Sequence, residues 1–123
     1  MPPVNLDYLY EILRDIASKQ DIWSYSDLSA EYNKRFRVYH PPHGSWDVPL
    51  LQINTRTHAA RLPALSAVIT YEPSAASNYG PPGKGFWGTP GVPPRPARAD
   101  DREDEWLKIL NQVHAATWPP QLP

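Results

Sequence analysis

Leu6, Leu9, Ile12, Leu13, Ile16 and Ala17 recur at the spacing of one helix face, with Asp7, Glu11, Arg14 and Asp15 on the opposite side. Asn5 stands where a side chain can accept from a free amide of the first turn, so the pattern predicts a helix from about Leu6 to Lys19. Ile22-Trp23-Ser24-Tyr25 then interrupts the period with β-prone residues. A second helix is expected after it, capped by Ser26 and carrying Asp27, Leu28, Ala30, Glu31 and Tyr32. Lys34, Arg35 and Arg37 close it with positive charge, which suits the negative end of a helix dipole. Val38 to Gly44 reads as a turn, and Ser45 as the cap of a third helix in which Val48, Leu51 and Leu50 face inward.

Beyond Gln52 the third helix turns polar, and Pro63 checks it. Ser66 to Glu72 alternates Ala67, Ile69 and Tyr71 with Ser66, Val68 and Thr70, a strand pattern. Residues 73–84 read as a loop, and Phe86-Trp87 as the anchor of a returning strand or a pair folded back on the core. Pro90 to Pro96 has the makeup of a stiff linker. Asp100 is the expected cap of a last helix whose stripe is Trp106, Leu107, Leu110 and Val113, ended by Trp118-Pro119-Pro120. Two helices, a β-prone connector, a third helix, a strand and a hairpin form the order of a winged helix. The expected fold is therefore α+β: a small, mainly helical, winged-helix-like domain over residues 1–90 with a short β-hairpin. A proline-rich linker over 91–99 and a C-terminal helix over 100–118, packed on the same domain, complete it.

Composition narrows this picture in three ways. At 123 residues and 41% hydrophobic content, the chain suffices for one modest core. A net charge of -1 gives no global attraction to nucleic acid, so any basic surface has to be local. The absence of cysteine rules out disulfides, thiolate metal sites and cysteine nucleophiles. Met1 to Asn5 lacks the basic and apolar regions of a signal peptide, and no apolar run approaches membrane-spanning length, so a cytoplasmic protein without membrane contact is expected.

No cofactor is called for by any motif. His40, His43 and Asp47 are ligand types, but the prolines between the histidines prevent the regular helical presentation that makes such pairs converge, so no metal site is expected. Ser66 and His58 lack the glycines of a nucleophile elbow, and Gly83-Lys84-Gly85 lacks the span and following hydroxyl of a phosphate loop.

Trp23-Ser24-Tyr25-Ser26-Asp27-Leu28-Ser29 resembles the Thr-Thr-Tyr-Gly-x-hydrophobic-Ala segment of the alkylguanine DNA alkyltransferases and their alkyltransferase-like relatives. Leu62-Pro63-Ala64-Leu65-Ser66-Ala67-Val68-Ile69 is similar to that family's Ile-Pro-Cys-His-Arg-Val-Val, and Gly85-Phe86-Trp87-Gly88 to its Gly-Tyr-x-x-Gly. The resemblance spans at most residues 6–88 and implies a winged-helix framework. Ala64 stands at the position of the alkyl-accepting cysteine, so alkyl transfer to a thiolate is chemically impossible here. Leu51 to Arg56 replaces the family's Arg-Ala-Val-Gly recognition segment.

Two functions follow as expectations. The first is a non-enzymatic module for nucleic acid, duplex DNA in particular. Gln52, Asn54, Arg56, His58 and Arg61 of the third helix would face a groove, while Lys34, Arg35, Arg37 and Lys84 would face phosphates. The second is a small protein-binding module or inhibitor, of bacterial or phage type, anchored through Phe86, Trp87 and Trp106.

Overall fold

A computed structural model of the chain describes residues 4–37, 45–71 and 82–123. The turn expected over 38–44, with His40 and His43, and most of the loop after Tyr71 lie outside those residues. Four helices carry the chain: α1 (Leu6–Ser18), α2 (Tyr25–Phe36), α3 (Asp47–Ala59) and α4 (Ala99–Ala115). Two short strands, β1 (Trp23–Ser24) and β2 (Ile69–Thr70), and two 3-10 turns, Leu65–Val68 and Lys84–Phe86, complete a small α+β domain.

The first helix forms where its stripe places it. Asn5 Oδ1 accepts from the amides of Asp7 and Tyr8, and Leu9, Ile12, Leu13, Ile16 and Ala17 are buried. Gln20, with φ 56°, takes the left-handed conformation that turns the chain out of α1. The cap of α2 is Ser24, not Ser26. Ser24 Oγ accepts from the Asp27 amide while the Asp27 carboxylate accepts from the Ser24 amide, satisfying two free donors at once. Ser26, lacking an acid three residues on, lies inside the first turn.

The centre of the core is the turn Leu65–Val68, buried between α1, α3 and α4. The strand expected from Ser66 to Glu72 is accordingly shorter. Both alternating faces of 66–70 are buried, so the chain coils as 3-10 until Val68 and extends only at Ile69 and Thr70. The strands pair in parallel, Trp23 with Ile69 and Ser24 with Thr70. Among the described residues no hairpin pairs with β2, and Phe86 lies in a 3-10 turn instead of a returning strand.

The last helix begins at Ala99, one residue before the expected Asp100 cap, and Arg98 at the cap position makes no side-chain cap. Asp100 and Asp101 still complement the dipole in its first turn. The linker before it is packed. Val92 is buried, Gly88 N donates to Pro93 O at 3.0 Å, and Arg102 Nη1 donates to the carbonyls of Pro96 and Ala97 at 3.0 Å. Trp106, Ile109, Leu110 and Val113 dock the helix, and Trp106 Nε1 donates to Ala67 O at 2.8 Å. Trp118 then turns back, buried, its Nε1 donating to Val113 O at 3.0 Å. Among the described residues no helix is long and apolar enough to cross a membrane.

Candidate functional site

The third helix has an inner face that differs from the one its apolar residues suggest. Leu50, Ile53, Asn54 and Thr57 are buried at helical spacing, which turns Val48 and Leu51 outward at 63% and 41% exposure. The expectation that Val48 and Leu51 face the core is thus corrected, and only Leu50 of the three does so.

Asn54, expected at a groove, is fully buried and belongs to the scaffold. Its Oδ1 accepts from Ser66 N at 3.1 Å, and its Nδ2 donates to Ser66 Oγ at 2.7 Å and Thr89 Oγ1 at 3.0 Å. Thr89 Oγ1 in turn donates to Phe86 O at 2.8 Å. One amide therefore ties α3 to both 3-10 turns. A buried amide persists only when its capacity is filled in this way. The same bonds account for Ser66, whose hydroxyl faces Asn54 and not a histidine.

Beside this knot, Tyr25 Oη accepts from Gly83 N at 3.0 Å, and its ring meets Tyr71 at 5.3 Å. Burial pushes the Tyr25 hydroxyl pKa up to about 12; the Gly83 amide opposes the shift, while Tyr71 and Asp47 add to it. The backbone here runs too close for side chains. A Cβ on Gly83 would collide with the Tyr25 hydroxyl, and one on Gly85 would stand 2.8 Å from the Asp47 carboxyl. The space enclosed by Tyr25, Asp47, Ser66, Gly85, Phe86 and Thr89 is about 10 Å³, room for about one water and far too little for a nucleobase.

The cations expected at phosphates divide into two sets. Arg35 is held by Asp15 at 2.8 Å and Glu31 at 2.9 Å, with Glu11 at 3.9 Å. Burial opposes its charge, but these hydrogen-bonded carboxylates outweigh burial and keep its pKa above the ordinary value. Arg35 thus joins α1 to α2 and is removed from the phosphate set. Lys34, Arg37, Arg61, His58 and Lys84 are exposed. Arg37 and Arg61, with φ 54° and 61°, end α2 and α3 in the left-handed conformation. Lys34 borders a shallow groove of about 300 Å³ with Trp23, Asp27, Ala30 and Glu31. Arg56 is exposed, and its Nε donates to the Pro123 main-chain oxygen at 2.6 Å.

Two of the three expected partner anchors are core. Trp106 is 1% and Phe86 5% exposed, so neither is free to insert into another protein, and only Trp87 is half-buried, edge-on to Phe86 at 5.1 Å. Of the large hydrophobic side chains exposed among the described residues, Tyr8, Val48, Leu51 and Tyr71, two lie on α3, and the pattern could reveal that pair only once Asn54 and Thr57 were known to face inward.

The outer surface of α3 thus carries Val48, Leu51, Gln52, Thr55, Arg56 and His58. No Asp or Glu occurs between Asp47 and Glu72. The wider segment 48–99 holds five basic residues, Arg56, Arg61, Lys84, Arg95 and Arg98, against the single acid Glu72, although the whole chain is at -1. Among the described residues no three His, Asp or Glu side chains converge as metal ligands would. Comparison with protein-family models, with curated proteins and with solved structures finds no match.

Proposed function

We propose that the chain is a non-enzymatic, winged-helix-like module of the cytoplasm that binds duplex nucleic acid through the outer face of α3. The observation that carries this reading is the makeup of that face. Gln52 offers a donor and an acceptor of the kind that meet base edges, Thr55 an acceptor, its hydroxyl donating to Leu51 O at 2.9 Å, and Val48 and Leu51 apolar contact. Arg56 and His58 follow in its last turn and Arg61 just beyond it, with no Asp or Glu between Asp47 and Glu72 in the sequence to repel phosphate. Lys34, Arg37 and Lys84 are the remaining exposed cations of the expected set, while Asn54 and Arg35 act as scaffold. The knot at Asn54 supports the reading by holding α3 rigid.

A labelled duplex followed by fluorescence anisotropy tests it. Binding at about 25 mM salt is expected to weaken steeply on raising salt, with a log-log slope of roughly -0.9 for each phosphate neutralised. Gln52→Ala and Arg61→Ala should both weaken it, and only Arg61→Ala should flatten the slope. A chain that leaves the duplex unbound at low salt is no nucleic-acid module. In that event the exposed pair Val48 and Leu51 becomes the argument for a protein partner on the same face.

A further inference from the structure

After α4 the chain does not leave the domain but runs back over it as a strap. Trp118 and Leu122 seat the strap on the core, Trp118 buried and Leu122 partly so. Between and beyond these two anchors its main-chain oxygens are taken one by one. Tyr10 Oη donates to Pro119 O at 2.7 Å, Arg14 Nη1 donates to Pro120 O, and Arg56 Nε donates to Pro123 O at 2.6 Å. The strap thus brings one arginine of α1 and one of α3 to the same short piece of chain.

Neither guanidinium has an Asp or Glu side chain within ion-pair distance among the described residues, in contrast to Arg35 with three. Their only described hydrogen-bond acceptors are strap oxygens. A guanidinium bonded to a phosphate oxygen gains roughly twice what a neutral pair gains, because both partners are charged. The two acceptors are three residues apart, hence at most about 11 Å from one another along an extended chain. Successive phosphates on one strand rise by about 3.4 Å, so that bound lies within the reach of phosphates a few steps apart.

We propose that Arg14 and Arg56 form a phosphate-binding pair to which the strap 119–123 is bonded, so that the strap competes with a nucleic-acid backbone for Arg14 Nη1 and Arg56 Nε. This rests on the proposed nucleic-acid function and adds Arg14, on α1, to its contact surface. Displacement of the strap exchanges the neutral Pro120 carbonyl at Arg14 for a charged acceptor and costs the seat of Leu122. Binding of the wild-type chain therefore understates what the uncovered surface can do.

The test uses the whole 123-residue chain with Leu122→Ser, which loosens the seat without touching either arginine, and with Leu122→Asn as a second uncharged version. Release of the strap is read from the Nε–H resonance of Arg56. Once released, the variant should bind a labelled duplex about three- to tenfold more tightly than wild type at about 50 mM salt. Its log-log salt slope should steepen by up to about 1.8, two phosphates at roughly 0.9 each. Adding Arg14→Gln or Arg56→Gln should return about half of that steepening in each case. Equal affinity and slope with the strap released, weaker binding on release, or a strap that stays in place in both variants would overturn the proposal. Titration with inorganic phosphate separates it from the reading beneath it. Shifts of the Arg14 and Arg56 Nε–H resonances in the released variant, without duplex binding by any form, would sustain the anion pair and reject the nucleic-acid function. No shift and no duplex binding would reject both.

Discussion

Replacing Asn54 by alanine distinguishes a scaffold amide from a groove contact. The substitution removes three hydrogen bonds and leaves the buried Ser66 amide without its acceptor, while the hydroxyls of Ser66 and Thr89 lose their donor. An orphaned buried donor costs about 1–3 kcal/mol, and each lost neutral bond about 1 kcal/mol, part of which the hydroxyls recover by rotation, so the total is about 2–4 kcal/mol. With an unfolding entropy near 2.1 cal/mol/K per residue, the chain's melting temperature should fall by about 8–15 °C. Scanning calorimetry and a urea titration would measure it, and Ser66→Ala in a double-mutant cycle should show coupling, because the two side chains share the bond from Asn54 Nδ2 to Ser66 Oγ. A melting temperature within about 2 °C of wild type, together with a fall in duplex affinity, would place Asn54 at the surface and refute the buried knot.

Other substitutions follow from the same packing. Trp106→Ala should destabilise by about 3–5 kcal/mol, seen as a lower urea midpoint, because it empties a buried site and strands the Ala67 carbonyl; a folded variant of unchanged stability would make Trp106 a surface anchor after all. Arg35→Gln should cost about 1 kcal/mol or less, more at low salt than at high, and leave the duplex salt slope unchanged, since its guanidinium is committed to Asp15 and Glu31. Stability should fall as pH rises from about 10 to about 12. Over that interval the unfolded Tyr25 ionises while the folded one holds its proton, so the advantage present below pH 10 is lost. Urea titrations at the two ends should differ by about 2–3 kcal/mol from this residue, and Tyr25→Phe should remove that part.

What was legible in the chain was the part in which one face is apolar. The stripe of α1 and the Asn5 cap could be read directly, as could the stripe of α4, because their buried residues are the greasy ones. In α3 the pattern misleads. Asn54 and Thr57 go inside since each finds partners there, and Val48 and Leu51 are left outside. The sign that could have marked Ser24 as the cap of α2 was present in the sequence, Ser24 followed three residues later by Asp27. The parallel pairing of Trp23 with Ile69 had no local sign at all, as it joins strands 46 residues apart. At the candidate site, Gln52, His58, Arg61, Lys34, Arg37 and Lys84 stayed on the surface as their chemistry suggested. Arg35 was lost to Glu31, whose i,i+4 spacing within α2 the sequence does disclose, and to Asp15 and Glu11 of α1, which it does not.

The central claim is that the outer face of α3 meets nucleic acid, and amide chemical-shift mapping on addition of a short duplex at low salt tests it most directly. The largest shifts should fall at Val48, Leu51, Gln52, Thr55 and Arg61, with the amides of Ile53 and Asn54 on the inner face moving least. Shifts concentrated on α1 and α4 away from this face, or a spectrum unchanged by duplex, would contradict it.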